Sequence, residues 1–414
     1  MKIAIVGAGI GGLALATLAQ KAGHAVCLWE RFDQPRPVGS GLVIQPVGLA
    51  VLDHLGVGDQ TRALGAPIVR MQGHLPKGRS VLDVAYRPHQ PGLALHRSAL
   101  FEVLWQAAQA AGVPVRTSTA IHSATLEGGQ RVLRDAQGQA LAAVDLVVDA
   151  SGAGSRLSRL HARPLGYGAI WGTVRWPRES ALPFNELRQR YQGASHMVGV
   201  LPVGRLPGEP DPRAALFWSV PASALDGWAQ SDVAAWQADA LALWPELHPF
   251  ITQITDTAQM TPARYAHGTL RRPFEPGLVF IGDAAHRASP QLGQGANMAL
   301  LDALALFTAL QQHSLQDALP RYAAMRRWHV RSYQAMSAIF TPMYQSGSRV
   351  LPLLRDHVLA PCAQLPGIKQ MLTALVSGDM LPPLGGGLRL ANAPRPTGLP
   401  PRDCPGATHR PNPE

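Results

Sequence analysis

The N-terminal stretch KIAIVGAGIGGLALATLAQKAGHAVCLWE restricts the chain to very few folds. Lys2 to Val6 is a short apolar run with β-branched residues and predicts a buried parallel strand. Gly7 to Gly12 is a turn, Leu13 to Ala22 predicts an Ala- and Leu-rich helix closed by Gly23, and Ala25 to Trp29 predicts a second strand ending at Glu30. Strand, helix and strand in this span make one βαβ unit. Its turn carries Gly7, Gly9 and Gly12 in G-x-G-x-x-G spacing, with Ile10 and Gly11 between them. The first glycine permits the tight turn, the second lets backbone approach a pyrophosphate, and the third lets helix pack on strand. The helix start adds free N–H groups and the positive end of a dipole. Glu30 stands 18 residues past Gly12, where a carboxylate can accept hydrogen bonds from a ribose diol. A bound adenine dinucleotide follows, with FAD and NAD equally compatible with this unit alone.

The chain has 414 residues, long for one core, so two domains or one domain with a large insertion is the expectation. The alternation continues beyond the first unit. Ser98 is a plausible N-cap for a helix from Ala99 to Ala111, closed by Gly112. Val144 to Val148 and Gly277 to Ile281 predict strands, Ala296 to Gln311 a largely buried helix, and Pro320 the opening of a long helix to about Met336. Between 165 and 260 the pattern changes. AIWGTVRW, HMVGVLPVG and AALFWSV are aromatic and β-branched with partial alternation, which predicts an antiparallel sheet, and Ser231 can cap a helix running to Trp244. The fold class is therefore α/β: a Rossmann-like, three-layer nucleotide-binding domain with an inserted β-rich domain and C-terminal helices. The expected division assigns 1–70, 96–165 and 260–345 to the discontinuous nucleotide domain, 71–95 and 166–259 to the β-rich substrate domain, 346–380 to C-terminal helices, and 381–414 to a Pro-, Gly- and Arg-rich irregular tail.

The net charge is +10, yet the cations are almost all scattered arginines, so nucleic acid is not an expected partner and anionic small ligands fit better. The start runs straight into a strand, and no apolar stretch approaches a membrane span, so a cytoplasmic setting is expected and membrane association is not. The segment 342–378 is apolar with sparse arginines and is expected to cover the nucleotide domain. Cys27, Cys362 and Cys404 form no CxxC pair, no H-E-x-x-H or G-x-S-x-G motif occurs, and no metal is expected. The oligomeric state is not legible.

The stretch GLVFIGDAAHRASPQLGQGANMALLDAL, Gly277 to Leu304, carries the second group of chemical residues. A strand ends in Gly282–Asp283, an irregular turn holds Pro290, Gly293 and Gly295, and a helix follows. Asp283 can accept from a ribityl hydroxyl, and Gly293 to Asn297 can present N–H groups at the positive end of that helix. A third stretch, LVVDASGAGSRLSR, ends a strand in Asp149 and places Ser151 and Gly152 in the turn beyond it.

Together, GAGIGG…WER, GLALHRSALFEVL, DLVVDASGAGSRLSR and GDAAH…P…GQGANMALLDA resemble, in order, the motifs of the flavin-dependent aromatic hydroxylases, the family of p-hydroxybenzoate hydroxylase. The resemblance reaches to about Gly378. It implies that Gly7, Gly9, Ile10, Gly11, Gly12, Glu30 and Arg31 hold the ADP half of FAD, and that Arg97 reaches the flavin side of the pyrophosphate. Asp283 would bind the ribityl chain and Pro290 would sit beside the isoalloxazine ring. Gly293, Gln294, Gly295, Ala296 and Asn297 would face the pyrimidine edge, with Gly41 and Ile121 completing the cofactor set. It implies NADPH or NADH as a transient reductant, oxygen adding at the flavin C4a carbon, and the hydroperoxide hydroxylating or epoxidising an aromatic, phenolic or polycyclic small molecule. Pro290 and His286 would be the residues nearest the chemistry, and Trp171, His196 and Trp218 candidates for the substrate wall. The family usually reads G-A-D-G where this chain has DASG, so Ser151 stands in the acid's position, and Ser151 and Gly152 are candidates for contact with nicotinamide or FAD. A DASG of this form is also similar to flavin reductases of the geranylgeranyl-reductase type and to halogenases, and both stay open, as does a flavin carrier or sensor without turnover. Against a halogenase, WGTVRWP has the wrong spacing for W-x-W-x-I-P.

Overall fold

A computed structural model describes residues 1–34 and 40–385; the greater part of the expected irregular tail, from 386 onward, lies outside the described residues. The first unit forms as the glycine spacing dictates. β1 (Lys2–Val6) runs into the Gly7–Gly9 turn, α1 (Ile10–Lys21) follows, and β2 (Ala25–Trp29) returns parallel to β1. Ten successive residues of α1, Gly11 to Gln20, are buried. A helix with no polar face is stable only when covered on every side, and here the sheet lies on one side and a second buried helix on the other.

The chain then lays β3 (Gly41–Ile44) and α2 (Pro46–Leu55), crosses to the hairpin β4 (Arg70–His74) and β5 (Ser80–Ala85), and comes back through β6 (Gly92–His96) and α3 (Arg97–Ala110). Strand β6 pairs with β3 rather than with the hairpin. The cap of α3 also differs from expectation. The His96 ring accepts from the Ser98 N–H at 3.2 Å, so Ser98 lies inside the helix and Arg97 is its first residue. β7 (Val115–Arg116) and β8 (Leu146–Asp149) extend the parallel sheet, with Val6 paired to Asp149.

The β-rich insertion follows: β9 (Tyr167–Arg175), β10 (Glu186–Gln192), β11 (His196–Arg205), β12 (Pro212–Pro221), α4 (Val233–Leu243) and β13 (Met260–Ala263). The cap of α4 is Asp232, which accepts from Ala234 and Ala235, one residue past the expected Ser231. A carboxylate accepts two N–H groups there and also faces the positive helix end. These strands and the hairpin make one seven-stranded sheet in the order β13-β9-β12-β11-β10-β4-β5. Its outer face packs on α4 through Ile170, Trp218, Trp228, Trp236 and Phe250.

The chain re-enters the first sheet at β14 (Phe274–Glu275) and β15 (Leu278–Phe280), which completes six strands in the order β14-β15-β8-β1-β2-β7. It then forms α5 (Gly295–Gln312), α6 (Leu315–Tyr344) and α7 (Pro366–Ser377). Helix α6 begins before Pro320 because Ser314 caps it, and both Pro320 and Pro342 lie inside it. No helix among the described residues is long and apolar enough to cross a membrane.

A buried charge cluster locks α5 and α6 together. Asp302 Oδ1 accepts from Arg326 Nε at 2.7 Å, and Oδ2 accepts from the Gly282 N–H at 2.9 Å and meets His286 Nε2 at 2.7 Å. Burial alone would raise the Asp302 carboxyl, but His286 and Arg326 more than reverse this and hold it well below the usual carboxylate range. His329, one turn from Arg326, faces the Gly378 carbonyl at 2.8 Å. Burial, then the Arg326 charge, push this imidazole down to about 3 from 6.5. An unfolded His329 takes a proton near 6.5 and the folded one does not until about 3, so its contribution to stability is intact above 6.5 and falls as the pH drops between these values. From pH 6.5 to 5 the loss is about 2 kcal/mol. Urea unfolding at both pH values should show a steeper acid loss in wild type than in His329→Gln.

Candidate active site

One cavity of about 1120 Å³ runs between the two sheets. At one end it is lined by the Gly7–Gly11 turn, Glu30, Arg31, Arg97, the Ala150–Gly154 turn and Arg156, and at the other by the inner face of the seven-stranded sheet. The turn Pro290–Ala296 borders it from the α5 side.

The first end is built by glycines that nothing larger can replace. Gly7 sits at φ +103°, and a Cβ there would lie 2.7 Å from the Ala150 carbonyl oxygen and from the Ser151 Cα. A Cβ at Gly12 would lie 2.1 Å from the Gly7 carbonyl oxygen, so the third glycine sets how closely α1 folds under the turn. The N-cap of α1, Gly9, supplies no side-chain acceptor, which leaves the first N–H groups of the helix unsatisfied by any cap. Glu30 Oε2 accepts from the Ala8 N–H at 2.8 Å, fixing its carboxylate against the turn. Free helix N–H groups, a close backbone approach and a fixed carboxylate are the donor and acceptor set that a pyrophosphate and a ribose need, so these residues fit the adenine half of FAD.

The DASG stretch serves this turn. Asp149 is fully buried and accepts from the Ser151 N–H at 3.0 Å and from the Ser151 and Ser155 hydroxyls. Burial raises the Asp149 carboxyl and those three hydrogen bonds oppose the rise. Ser151 and Gly152 line the cavity, with Ser151 tied to Asp149 beside Gly7.

At the α5 end, Gly293 adopts φ +61° and the N-cap Gln294 gives no side-chain cap, so the helix start again opens into the cavity. Asp283, Pro290, Gly293, Gln294, Gly295 and Ala296 all line it, as do Gly41 and Ile121. Asn297 does not. It is fully buried, accepts from the Gln45 N–H at 2.8 Å and donates to the Val43 and Gly293 carbonyls at 3.1 and 2.9 Å. Its side chain is a staple between α5 and the β3–α2 corner. His286 is likewise outside the cavity lining, because its ring is committed to Asp302. It holds the Gly282–Asp283 turn from behind, which makes it a positioning residue rather than one of the residues nearest the chemistry.

Of the three candidates for the substrate wall, Trp171 lines the cavity and Trp218 and His196 do not. The reason is strand parity. Trp171 pairs across the ladder with Phe217, and both face inward, while Trp218 pairs with Ile170 on the outer face. His196 is exposed at the strand end, against the edge of Trp218. Sequence reasoning missed Gln189, Tyr191 and Phe217 on the inner face. The available signal was the i, i+2 spacing of Leu187, Gln189 and Tyr191 in ELRQRYQ, masked by the arginines that alternate with them.

Both helix starts and three turns open on one cavity, a donor and acceptor set that fits a dinucleotide cofactor such as FAD. A model of the FAD binding domain family matches residues 1–335. A putative 2-heptyl-3-hydroxy-4(1H)-quinolone synthase of Rhodococcus erythropolis is 31% identical over 343 residues, covering 80% of this chain and 86% of the relative. The 6-methylpretetramide 4-monooxygenase of Streptomyces rimosus is 27% identical over 395 residues, covering 91% and 92%. The structure of Klebsiella pneumoniae HpxO with FAD and uric acid superimposes with a TM-score of 0.76 at 21% identity, covering 92% of this chain and 98% of that one, and so shows the same fold. The chain belongs to the FAD binding domain family, among the flavoprotein aromatic hydroxylases, and is an FAD-dependent monooxygenase with NAD(P)H as the usual reductant.

Proposed function

We propose that the chain oxygenates a small aromatic molecule held on the inner face of the seven-stranded sheet, with FAD along the Gly7–Gly11, Ala150–Gly154 and Pro290–Ala296 turns. The observation that carries this reading is the continuity of the cavity: Gly7 and Phe217 line the same space. When bound, FAD would supply the redox chemistry, taking a hydride from NAD(P)H and activating oxygen. The residues of the chain then have positioning roles. Glu30 orients the ribose, Arg97 offers charge to the pyrophosphate, and Asp283 accepts from the ribityl chain. The start of α5 faces the edge of the flavin that carries negative charge when reduced. Trp171, Phe217 and Met197 exclude water from the ring to be attacked. The two relatives just described are named for fused-ring aromatic molecules, which supports the substrate class. This reading keeps 71–95 and 166–259 as the substrate domain, with β6 paired to β3 outside the seven-stranded sheet. The test is NADH and NADPH oxidation by purified protein with a panel of phenols and fused-ring aromatics. Oxidation stimulated at least tenfold by some members, with matching oxygen uptake, is expected; reductant use without oxygen uptake points to the reductase alternative.

A further inference from the structure

The inner face of the seven-stranded sheet is flat for a reason the glycines give. A Cβ at Gly199 would lie 2.0 Å from the Phe217 ring, and one at Gly73 would lie 2.4 Å from the Tyr191 ring. Two aromatic rings therefore lie across the sheet in space that side chains occupy elsewhere. Trp171 packs on Phe217 at 4.7 Å between centroids, and Tyr344 packs on Tyr191 at 5.2 Å. Both pairs line the cavity, with Met197 and Gln189 beside them.

Two of the charges near this wall are already paired. Asp83 is held by Arg70 through two hydrogen bonds of 2.6 Å, and Arg264 pairs with Asp226. Arg355, fully buried, is outside the cavity lining. It places its guanidinium 5.1 Å from the Tyr191 ring centroid and 5.2 Å from that of Tyr344, and it binds Asp356 at 2.7 Å. An anion entering the box would lose its water, and the guanidinium beside the two tyrosine rings, Arg355, is already held by Asp356. A cation would find the Tyr191 and Tyr344 rings already serving Arg355. Burial pushes the Tyr344 hydroxyl up to about 12 and also raises that of Tyr191 well above its usual value, so both rings stay uncharged. A polar group with a hydrogen to spare lies between these rings. The Tyr191 hydroxyl donates to Gln189 Oε1 at 2.6 Å, which turns the amide nitrogen toward the Met197 sulfur, a weak acceptor 3.8 Å away.

We propose that this box binds a flat, uncharged aromatic molecule, and that the Gln189 amide nitrogen donates to an oxygen or nitrogen acceptor on its ring. The assignment rests on the reading of this end of the cavity as the substrate chamber, and it narrows that reading: a carboxylated aromatic is rejected, and Gln189 is a specificity determinant.

The test uses the FAD-loaded protein and three probes, 2-naphthol, naphthalene and 3-hydroxy-2-naphthoate, titrated by quenching of tryptophan fluorescence. 2-Naphthol should bind at least tenfold more tightly than 3-hydroxy-2-naphthoate. Gln189→Leu should weaken 2-naphthol about tenfold and leave naphthalene, which has no acceptor, within twofold. Three results would overturn the assignment: the carboxylate binding as tightly as 2-naphthol, no binding of either neutral probe, or equal loss of both neutral probes in Gln189→Leu. Protein that binds the neutral probes but takes up no oxygen with NAD(P)H would overturn the oxygenase reading and leave the box standing. Protein that oxygenates carboxylated aromatics and rejects the neutral probes would do the reverse.

Discussion

Gly7→Val should leave the protein essentially colourless. Two independent constraints meet at this residue. Its φ of +103° is a conformation that a β-branched residue rarely adopts, and its Cβ would fall 2.7 Å from two backbone atoms of the Ala150–Ser151 bend. Neither obstacle is the far end of a flexible side chain, so the turn must open. Opening it moves the first N–H groups of α1 and the Glu30 carboxylate, which the Ala8 N–H holds at 2.8 Å. The expected loss of FAD affinity is about a hundredfold or more, since several contacts fail together. Gly78→Ala is the control: its φ is +84° but nothing lies within 4 Å of its Cβ, so it carries the backbone strain without the clash. It should keep its FAD. The ratio of flavin absorbance to protein absorbance after purification decides the matter, with circular dichroism confirming that both variants fold.

Asp302→Ala should cost the fold roughly 3–5 kcal/mol, because it leaves the Arg326 guanidinium buried without its carboxylate. Both partners are almost wholly buried, with side-chain exposures of 0% for Asp302 and 3% for Arg326. The Gly282 N–H loses its acceptor in the same change. Asp302→Asn keeps an oxygen for Gly282 and removes the charge, so it should fall between wild type and Asp302→Ala in urea unfolding. The held-down Asp302 carboxyl also sets a pH signature. Its contribution to stability is complete above the ordinary carboxylate range and is lost as the pH falls through its lowered folded value, so both variants should show a shallower acid limb than wild type. The Gly282–Asp283 turn borders the cavity, and the same variants should also hold FAD less tightly.

The first βαβ unit is legible in the sequence, apart from a helix that starts at Ile10 instead of Leu13, because its glycines answer local demands: a turn, a close approach, a helix seated on a strand. The order of the later stretches around Arg97, Asp149 and Asp283 was legible for the same reason, each being a short segment at a strand end. What escaped were side chains whose roles depend on distant partners. His286 lies in the chemical stretch, but Asp302 and Arg326 on two helices decide where its ring points. Asn297 sits at a helix start that faces the cavity, yet Gln45 and Val43, some 250 positions earlier, claim its amide. Trp218 differs from Phe217 by one residue, and that single step of register turns it from the cavity to the outer core. Gln189 and Tyr191 hid in a run that reads as a charged surface strand. Local spacing names backbone roles well; the direction of a side chain is settled by tertiary pairing.

The fate of molecular oxygen separates a monooxygenase from a reductase or a carrier most directly. The FAD-loaded protein, NAD(P)H and a panel of uncharged phenols and fused-ring heteroaromatics would be incubated under ¹⁸O₂, and the products weighed by mass spectrometry. The prediction is one ¹⁸O atom in a hydroxylated or epoxidised product from at least one neutral member. Reduced products without label, or complete diversion of the reductant to hydrogen peroxide across the whole panel, would contradict it.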